Sequence, residues 1–483
     1  MMSRLLISAA HKSSGKTTVS VGLCAALRRR GLAVQPFKKG PDYIDPMWLT
    51  QASGRDCRNL DPYLMTAEEI VALFSHHAAG ADISVVEGNK GLYDGLALDG
   101  SNSNAALAQM LGLPVVLVLD ARGMTRGIAP LILGYQAFDR AIRIAGVILN
   151  NLGGTRHEAK LRAVIEHYTD VAVLGGIQHD ERLTVVERHL GLVPSSELDD
   201  AARRIDEIGA IIGAQVDLDR IVEVAAEAPP LAAGIPVPGV RLPASPAKIL
   251  IGVARDKAFG FYYADDLDAL RAAGAEIVAF DTLHDRHLPR VDALFLGGGF
   301  PELFMGELEA NASLRTEIRA AIDAGLPVYA ECGGLMYLAR TLTWRGRTCP
   351  MVGTIPADAV MHDKPVGRGY VRLTETDASP WPRLAESDGD GLRGHEFHYS
   401  SLENLDPGLQ FAYRVTRGHG IDGHGDGIVQ KNVLASYSHL RCVGGNDWAA
   451  RFAAFVRQTK LFAPGPARDI RAADKVQTKA LAA

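Results

Sequence analysis

The sequence predicts an α/β protein of two domains, because short apolar runs alternate with longer amphipathic segments in both halves of the chain. In the first half the apolar runs are rich in Val, Ile and Leu, and the segments between them have helical spacing. This alternation is typical of βαβ units, so we expect a parallel sheet covered by helices on both faces. The expected strands are residues 5–9, 33–37, 83–87, 115–120, 145–150 and 171–177.

A change of composition marks the boundary between the two halves. Residues 225–247 are rich in Pro, Ala and Gly, which suits an extended linker. A second α/β series begins with the apolar run at 248–253. We therefore expect a first domain at 1–224, a second domain at 248–462, and a frayed, disordered tail at 463–483.

Composition narrows the functional classes before any motif is considered. The chain has 483 residues, and its formal net charge of -5 implies no broad basic surface for nucleic acid or anionic lipid. Five cysteines without a C-x-x-C spacing argue against a disulfide framework or a structural zinc site and favour a reducing cytoplasm. The longest apolar stretch, 111–119, is interrupted by Pro114, so we expect a buried strand there and no membrane span.

The segment after the first strand, SAAHKSSGKTT at 8–18, is typical of a phosphate-binding loop. Backbone N–H groups and a helix N-terminus would surround the phosphates of a nucleotide, with Lys16 at the β- and γ-phosphates and the Thr17 hydroxyl on Mg²⁺. Ala10 stands in place of the usual first glycine, and a turn with a solvated lysine is the alternative interpretation. The expected ATP-binding residues are Lys12, Ser13, Ser14, Gly15, Lys16, Thr17 and Thr18.

Carboxylates occur near the ends of other strands, at the edge where a parallel sheet places its active groups. Hard oxygen ligands suit Mg²⁺, and we expect Thr17, Asp42 and Glu87 to hold it. Asp45 lies close by in sequence and is a candidate for the substrate. For Asp42 and Asp45 the alternative is turn chemistry, since both are next to residues that favour turns.

Lysines accompany these carboxylates. Lys38 and Lys39 follow the second expected strand, and Lys12 belongs to the phosphate-binding loop. Together they form a basic cluster that suits ATP or a polycarboxylate substrate, with exposed, solvated lysines as the alternative.

A cysteine in the second half has the features of a nucleophile. Cys332 lies between the apolar run 326–331 and a glycine pair, a strand–turn–helix arrangement in which the helix N-terminus favours a thiolate. A small buried core residue is the alternative. Glycines at another strand end can donate N–H groups to an oxyanion, and His439 can act as the base. The expected oxyanion donors are Gly298, Gly299 and Gly333.

These motifs together resemble a known family. The AECGG segment around Cys332, the GGGFPE segment at 297–302 and His439 look like the class I glutamine amidotransferase fold. RDKAF at 255–259 and GHEFHYS at 394–400 are similar to its a,c-diamide synthase branch. In the first half FKKGPDYIDP and RNLD resemble the same family, whose N-terminal domain is related to dethiobiotin synthetase. The resemblance extends from Arg4 to about Leu461.

The resemblance implies roles for the residues of the second half. Many class I amidotransferases have a carboxylate two residues after the histidine, and Arg441 stands there in this chain. The a,c-diamide synthases are generally regarded as lacking that third member, which implies a dyad of Cys332 and His439. His398 is the alternative base.

The resemblance also implies the reaction. ATP would phosphorylate a substrate carboxylate, and ammonia released from glutamine by Cys332 would displace phosphate from the acyl phosphate. Mg²⁺ is the implied cofactor and a homodimer the implied assembly.

The family acts on modified tetrapyrroles, which leaves the substrate of this chain open. The first expectation is amidation of the a and c acetates of cobyrinic or hydrogenobyrinic acid. Sirohaem is the alternative, because Lys39, Asn89, Lys90 and the run 101–104 depart from the corrinoid pattern. The expected substrate-binding residues are Lys38, Lys39, Asp45, Asn89 and Lys90.

A different class of function shares the phosphate-binding loop. A ParA/MinD-like ATPase switch would act through dimerisation and have no use for a nucleophile. Glutaminase activity that is lost on Cys332→Ser separates the ligase from the switch.

Overall fold

The structure is a computed structural model, and it describes residues 2–183, 187–188, 191–198, 200–231, 248–383 and 391–462. The expected tail at 463–483 and the part of the expected linker at 232–247 lie outside the described residues. The described residues form two α/β units, each built around its own sheet, as the sequence predicts.

The first unit contains seven described strands in one parallel sheet. Their bounds are Arg4–Ala9 (β1), Val34–Lys39 (β2), Arg58–Leu60 (β3), Ile83–Glu87 (β4), Val115–Asp120 (β5), Ile144–Leu152 (β6) and Ala172–Gln178 (β7). The strand order is β3-β2-β4-β1-β5-β6-β7. A short antiparallel pair follows, Glu187–Arg188 (β8) with Gly191–Leu192 (β9). Because β1 pairs with both β4 and β5, the phosphate-binding loop leaves the sheet next to Glu87.

Helices cover both faces of this sheet. They are Lys16–Arg29 (α1), Ile44–Ser53 (α2), Ala67–Ala78 (α3), Asn104–Leu111 (α4), Ile128–Phe138 (α5), Thr155–Tyr168 (α6), Ala201–Gln215 (α7) and Leu218–Ala226 (α8). Apolar side chains of α1, α2, α7 and α8 form the core on one face, and those of α3, α4, α5 and α6 form the core on the other. The central strands are therefore buried on both sides, which explains their continuous apolar sequence.

The first unit continues past the expected boundary at residue 224. Helix α8 ends at Ala226, and Ala228 is still buried. Arg4 donates a hydrogen bond to the carbonyl oxygen of Pro229, which holds this segment against β1. The expected start of the linker at residue 225 is corrected accordingly, because proline-rich composition did not prevent the segment from packing.

The second unit has more strands than the sequence analysis indicated. Its strands are Ile249–Ala254 (β10), Phe259–Phe261 (β11), Ala275–Phe280 (β12), Ala293–Leu296 (β13), Gly298–Gly299 (β14), Val328–Glu331 (β15), Ala339–Trp344 (β16), Arg347–Pro350 (β17), Ile355–Met361 (β18), Gly367–Glu375 (β19), Leu392–His398 (β20), Ser400–Glu403 (β21), Gln410–Arg417 (β22), Gly425–Gln430 (β23) and Val433–Ser436 (β24). Its helices are Ala264–Ala272 (α9), Met305–Ala310 (α10), Ala312–Asp323 (α11), Gly333–Leu338 (α12) and Trp448–Phe462 (α13).

Nine of these described strands form a mixed sheet in the order β12-β10-β13-β15-β24-β23-β22-β19-β20. In this spatial order, neighbouring strands from β12 to β24 pair in parallel, and neighbouring strands from β24 to β20 pair antiparallel. The parallel half places β15 beside β24, so that Glu331 pairs with Ser436. This register brings the segment after β15, with Cys332, next to the segment after β24, with His439.

Three short 3-10 segments complete the described elements, at Glu181–Leu183, Ser195–Glu197 and Pro301–Phe304. Within the described residues, each helix is too short or too polar to cross a membrane.

Candidate active site at the domain boundary

The phosphate-binding loop connects β1 to α1 and depends on one glycine. Gly15 has φ +88°, and a Cβ atom built there would lie 2.1 Å from Asn150 Nδ2. Asn150, in β6, donates that same amide to the carbonyl oxygen of Ser14 at 2.9 Å. At Gly15 the backbone is left-handed and the Asn150 amide leaves no room for a Cβ atom, so only glycine fits there. Among the other expected ATP-binding residues, Lys12 and Ser13 are exposed, Ser14 and Lys16 are buried, and Thr17 and Thr18 are half-buried.

Lys16 is the first residue of α1 and lies below the loop. Burial lowers its pKa to about 8, while the carboxylates of Glu87 and Asp45 act in the opposite direction. A phosphate group beside this lysine would stabilise the ammonium form, because an anion compensates the cost of burying the charge. The position and environment of Lys16 therefore suit binding of nucleotide phosphates.

Four polar side chains converge behind the loop. The Thr17 hydroxyl donates to Glu87 Oε1 at 2.7 Å, and Lys38 Nζ donates to Glu87 Oε1 at 2.9 Å and to Asp45 Oδ2 at 2.5 Å. Burial alone would lower the pKa of Lys38, but the carboxylates of Asp45 and Glu87 raise it well above its usual value. Lys38 is thus held as a cation among these carboxylates.

Asp42 adds a third carboxylate to this cluster. Its Oδ1 accepts hydrogen bonds from the backbone N–H groups of Ile44 and Asp45 at 2.9 and 3.1 Å, which is the turn chemistry of the alternative interpretation. Its Oδ2 lies 3.8 Å from Lys38 Nζ. Burial, followed by the charge of Asp45, raises the pKa of Asp42 to about 7. Asp42 therefore accepts hydrogen bonds from the first N–H groups of α2 and also faces the cluster.

The donor set of this cluster fits a magnesium ion that carries nucleotide phosphates. Among the described residues, none donates a hydrogen bond to the buried Oε2 of Glu87, so this oxygen is available to a ligand. The same residues contain no group of three or more His, Cys, Asp or Glu side chains arranged around one metal position. Mg²⁺ does not need such a group, because it is usually held by one or two protein oxygens together with phosphates and water. Thr17 and Glu87 meet that requirement.

A cleft of about 350 Å³ opens beside this cluster, between the two units of the fold. We call it the interdomain cleft. The first unit lines it with residues that include Lys39, Asp42, Tyr43, Asp61, Tyr63, Asn89 and Lys90. The second unit lines it with residues that include Cys332, Arg368, Tyr370, His395, Phe397 and His439. One cavity therefore joins the nucleotide side of the molecule to the cysteine.

Of the expected substrate residues, three line the cleft and two lie behind its lining. Lys39, Asn89 and Lys90 line it, and Lys39 Nζ donates to Asn89 Oδ1 at 3.1 Å. Burial lowers the pKa of Lys39 to about 8. Lys38 and Asp45 are paired with each other behind the lining, so the structure places them with the phosphate-binding loop instead.

Cys332 stands at the turn between β15 and α12. Its φ and ψ angles are 48° and -101°, an unusual conformation for a residue with a side chain. The backbone N–H of Cys332 donates to the carbonyl oxygen of Ser436 at 2.7 Å, which fixes the turn to the end of β24. The sequence prediction of a sharp strand–turn–helix with cysteine at the tip thus agrees with the observed backbone.

His439 lies directly against this cysteine. Its backbone exchanges two hydrogen bonds with His395, at 2.8 and 3.2 Å, and its imidazole forms a hydrogen bond with the Cys332 side chain. Its Nδ1 lies 3.2 Å from Glu331 Oε2. Burial alone would lower the pKa of His439, but the hydrogen bonds with Cys332 and Glu331 raise it to about 10. This environment favours the protonated form of the His439 imidazole.

His398, the alternative base, is occupied elsewhere. Its Nδ1 lies 2.8 Å from the carbonyl oxygen of Ser400, and its ring stacks on Tyr437 with centroids 3.8 Å apart. The hydrogen bond of Cys332 is made with His439. The geometry therefore supports His439 as the partner of the thiol.

The glycines expected to form an oxyanion site surround the cysteine. A Cβ atom on Gly333 would lie 3.0 Å from the backbone nitrogen of Gly299, so these two residues approach each other closely beside Cys332. A Cβ atom on Gly298 would lie 2.7 Å from His439 Cε1. Gly298 therefore makes room for the imidazole, while Gly299 also lines the cleft.

Sequence reasoning missed two residues at this site. Glu331 belongs to the AECGG motif, but the motif alone assigns it no role, because its pairing with His439 depends on the register of β15 and β24. Tyr43, from the first unit, packs its ring 5.3 Å from that of His439 and parallel to that of Phe261. Nothing in the local sequence indicated this contact, since it forms only when the two units meet.

Comparisons with known proteins agree with this architecture. Residues 3–187 match the model of an AAA domain, and residues 250–447 match that of a CobB/CobQ-like glutamine amidotransferase domain. The cobyrinate a,c-diamide synthase of Magnetococcus marinus is 46% identical over 95% of this chain and 98% of its own length. That of Methanosarcina acetivorans is 44% identical over 92% of this chain and 94% of its own length. With a P-loop unit and a glutamine amidotransferase unit joined in this order, the chain belongs to the cobyrinate a,c-diamide synthase family of glutamine-dependent ligases.

Proposed function

We propose that this enzyme amidates the a and c acetate side chains of cobyrinic acid, or of hydrogenobyrinic acid, with ammonia from glutamine and energy from ATP. The observation that carries the proposal is the interdomain cleft, whose lining includes both Cys332 and the Asp42 edge of the nucleotide site. Relatives of similar length named as cobyrinate a,c-diamide synthases support the choice of substrate.

The proposed glutaminase step begins with the Cys332–His439 pair. The sulfur attacks the carboxamide carbon of glutamine, and the oxyanion that forms accepts hydrogen bonds from the N–H groups of Gly299 and Gly333. His439 gives its proton to the departing nitrogen, so the C–N bond breaks, ammonia leaves and a thioester remains. Water then attacks the thioester and His439 takes a proton from that water. The C–S bond breaks, glutamate leaves, and the Cys332 sulfur is free for the next cycle.

The proposed activation step takes place at the other end of the cleft. The γ-phosphoryl group of ATP passes to an oxygen of the substrate acetate, and ADP leaves. Lys16 would neutralise charge on the phosphates, and Thr17, Asp42 and Glu87 would hold Mg²⁺, which supplies further neutralisation. Ammonia attacks the acyl carbon, the C–O bond to phosphate breaks, and the amide forms after loss of a proton.

The cleft also suits an anionic macrocycle with aromatic faces. Lys39, Lys90 and Arg368 bring positive charge to its wall, where they can pair with the other acetate and propionate groups of the substrate. Tyr63 and Phe397 bring aromatic surface to the same wall. A polycarboxylate tetrapyrrole needs both kinds of contact.

Mass spectrometry of the products tests the substrate. The purified enzyme is supplied with ATP, Mg²⁺ and glutamine, and with cobyrinic acid or sirohaem in separate reactions. Conversion of two carboxylates to amides in cobyrinic acid supports the proposal. Amidation of sirohaem alone would contradict it and would direct attention to Lys39 and Asn89, which form a hydrogen-bonded pair in the cleft. ATP hydrolysis without amidation of either would favour the ATPase switch.

Oxygen labelling tests the acyl phosphate. With ¹⁸O in the acetate groups of the substrate, an acyl phosphate transfers one labelled oxygen to inorganic phosphate for each amide formed. Phosphate without the label would exclude this intermediate.

We further propose that the enzyme acts in the cytoplasm as a homodimer. The five cysteines, all of which are free thiols, suit a reducing compartment. Phe138 and Leu133 of α5 are 76% and 43% exposed, so this helix offers apolar surface to a second copy. Light scattering should then report twice the 51.7 kDa mass of the chain, and a single mass would contradict the dimer.

A further inference from the structure

We propose that Glu331 is a positioning residue of the glutaminase site, and that it holds the imidazole of His439 in the orientation required by Cys332. This inference rests on the roles proposed above for Cys332 and His439. It replaces the dyad implied by the family resemblance with a set of three residues, in which the carboxylate comes from the residue just before the nucleophile.

The position of Glu331 follows from the backbone of the sheet. Glu331 is the last residue of β15 and pairs with Ser436 of the parallel strand β24. The chain after Ser436 turns back at Ser438 and brings His439 across the end of β15. The carboxylate and the imidazole meet there with Oε2 and Nδ1 at 3.2 Å, and their side chains are only 3% and 4% exposed.

The other oxygen of Glu331 is fixed by two donors. Its Oε1 accepts the hydroxyl hydrogen of Tyr329 at 2.5 Å and the backbone N–H of Leu440 at 2.9 Å. Leu440 directly follows His439, so the carboxylate contacts both the ring and the backbone of this segment. With both oxygens engaged, the carboxylate has one orientation, and that orientation presents Oε2 to the imidazole.

This contact selects how the imidazole faces the nucleophile. A carboxylate at Nδ1 favours the form of histidine that carries a proton there, which leaves Nε2 for the thiol. His439 Cε1 is confined by Gly298 on one side, and the ring of His395 stacks at 4.9 Å on another. The imidazole is therefore held by a carboxylate, a glycine and a second ring.

The residue at the usual third position performs a different task. Arg441, two residues after His439, directs its guanidinium to Asp265 and to the carbonyl oxygen of Asn59, at 2.8 and 2.6 Å. An arginine there cannot orient an imidazolium, whereas Glu331 places a carboxylate oxygen 3.2 Å from its Nδ1. Arg441 therefore pairs with Asp265, and Glu331 takes the place of the carboxylate that many class I amidotransferases have at position 441.

The charged and titratable groups that face His439 come from both units of the fold. Glu331 and Cys332 come from β15 and the turn after it, Tyr43 comes from the first unit, and His395 comes from β20. Burial, followed by the charges of His439 and Arg441, lowers the pKa of His395 well below its usual value, so that ring is neutral. Glu331 is then the carboxylate neighbour that raises the pKa of His439.

The test compares Glu331→Gln with the wild type in two reactions of the full-length enzyme. Glutamine-dependent amidation and glutaminase should fall by about a hundredfold or more, by analogy with loss of the carboxylate in a Ser-His-Asp triad. Amidation with ammonium chloride should stay within about twofold, because it bypasses Cys332. Tyr329→Phe is the matched second variant. It removes one donor to the carboxylate and should reduce glutaminase by less than about tenfold.

The pH profile separates positioning from a merely structural role. Glu331 raises the pKa of His439, so its loss should move the alkaline limb of glutaminase kcat/KM to lower pH. Glutaminase within about threefold of wild type, or equal loss of both reactions with an unchanged profile, would overturn the proposal. Cys332→Ala tests the underlying function independently. If that variant still used glutamine, the proposed function would fail whatever the result for Glu331.

Discussion

Arg441 donates a hydrogen bond through Nη2 to the carbonyl oxygen of Asn59 at 2.6 Å, across the boundary between the two units of the fold. The same nitrogen contacts Asp265 Oδ2 at 2.8 Å, and Arg58 of the first unit donates to Asp265 Oδ1 at 2.9 Å. The segment that carries His439 is thereby attached to the nucleotide-binding unit. The proposed glutaminase site and the docking of the two units share one short stretch of chain.

We predict that Arg441→Gln weakens this attachment. Loss of charge-assisted hydrogen bonds should lower the free energy of unfolding by about 2–3 kcal/mol, since such bonds contribute more than neutral ones. Ammonia should then escape between the units, so that more glutamate is released than amide formed. The ratio of the two products measures this escape.

The control for this variant is Arg220→Gln. Arg220 pairs with Glu223 at the surface, where both side chains are more than half exposed, and such pairs contribute at most about 1 kcal/mol. Arg220→Gln should lower the free energy of unfolding by no more than about 1 kcal/mol and should leave the ratio of glutamate to amide unchanged. A wild-type product ratio in Arg441→Gln would contradict the docking role.

Gly298→Ala should disable the glutaminase by steric displacement. The new methyl group would lie 2.7 Å from His439 Cε1, closer than real contacts allow, so the imidazole must move. A displacement of about 1 Å at a catalytic group costs on the order of a hundredfold in rate. Glutamate release and ammonium-dependent amidation, measured side by side, should show loss of the first and retention of the second.

Gly134→Ala is the matched control for that substitution. A Cβ atom at Gly134, in α5, would meet nothing within 4 Å, and alanine is favoured over glycine inside a helix. This variant should keep full glutaminase activity. Unimpaired glutaminase in Gly298→Ala would mean that His439 is not confined there as described.

Affinity for ATP should decrease as the pH rises through about 8. The pKa of Lys16 is lowered to about 8 by burial, so its ammonium group is largely present at pH 7 and largely lost at pH 9. If the charged form binds the phosphates, affinity should fall by up to about tenfold between these values. Isothermal titration with ATP at the two pH values checks this, with Lys16→Gln expected to bind weakly and without the slope. If the ATP affinity of Lys16→Gln fell by the same factor between pH 7 and pH 9, the pH dependence would belong to another group, such as Lys39.

Arg368→Ala should weaken binding of the tetrapyrrole without affecting glutamine hydrolysis. The guanidinium lines the interdomain cleft over the ring of Phe397, with Cζ 5.2 Å from the ring centroid. Loss of one exposed charge facing a polyanion should raise KM by about three- to tenfold, and more salt should reduce the difference. Initial rates with varied cobyrinic acid measure this. Lys248→Ala, an exposed lysine outside the cleft, is the control, and equal KM values in all three proteins would exclude Arg368 from the substrate site.

The sequence predicted the first unit well because its strands are buried on both faces. Such strands have continuous apolar runs, and β4 and β5 begin and end where expected, at Ile83–Glu87 and Val115–Asp120. The antiparallel strands beyond β24 were not predicted. Their alternating residues, as in β19 and β22, carry a weaker signal than a buried run.

The candidate site likewise contains residues that the sequence predicts and residues that it does not. Cys332, His439 and the phosphate-binding loop lie within short motifs whose local geometry determines their chemistry, so they could be identified from spacing. Glu331 and Arg441 acquire their partners only through strand register and domain contact. No local pattern encodes those relations, so neither contact could be predicted from the sequence.

The central claim is that ammonia released at Cys332 reaches the activated carboxylate through the interdomain cleft. It is tested most directly by supplying glutamine labelled with ¹⁵N in its amide together with an excess of unlabelled ammonium, and measuring the isotope in the product by mass spectrometry. We predict that both new amides carry ¹⁵N in the wild type, and that Cys332→Ala incorporates only the unlabelled ammonium. Product that carries the isotope ratio of the bulk ammonium in the wild type would contradict the claim.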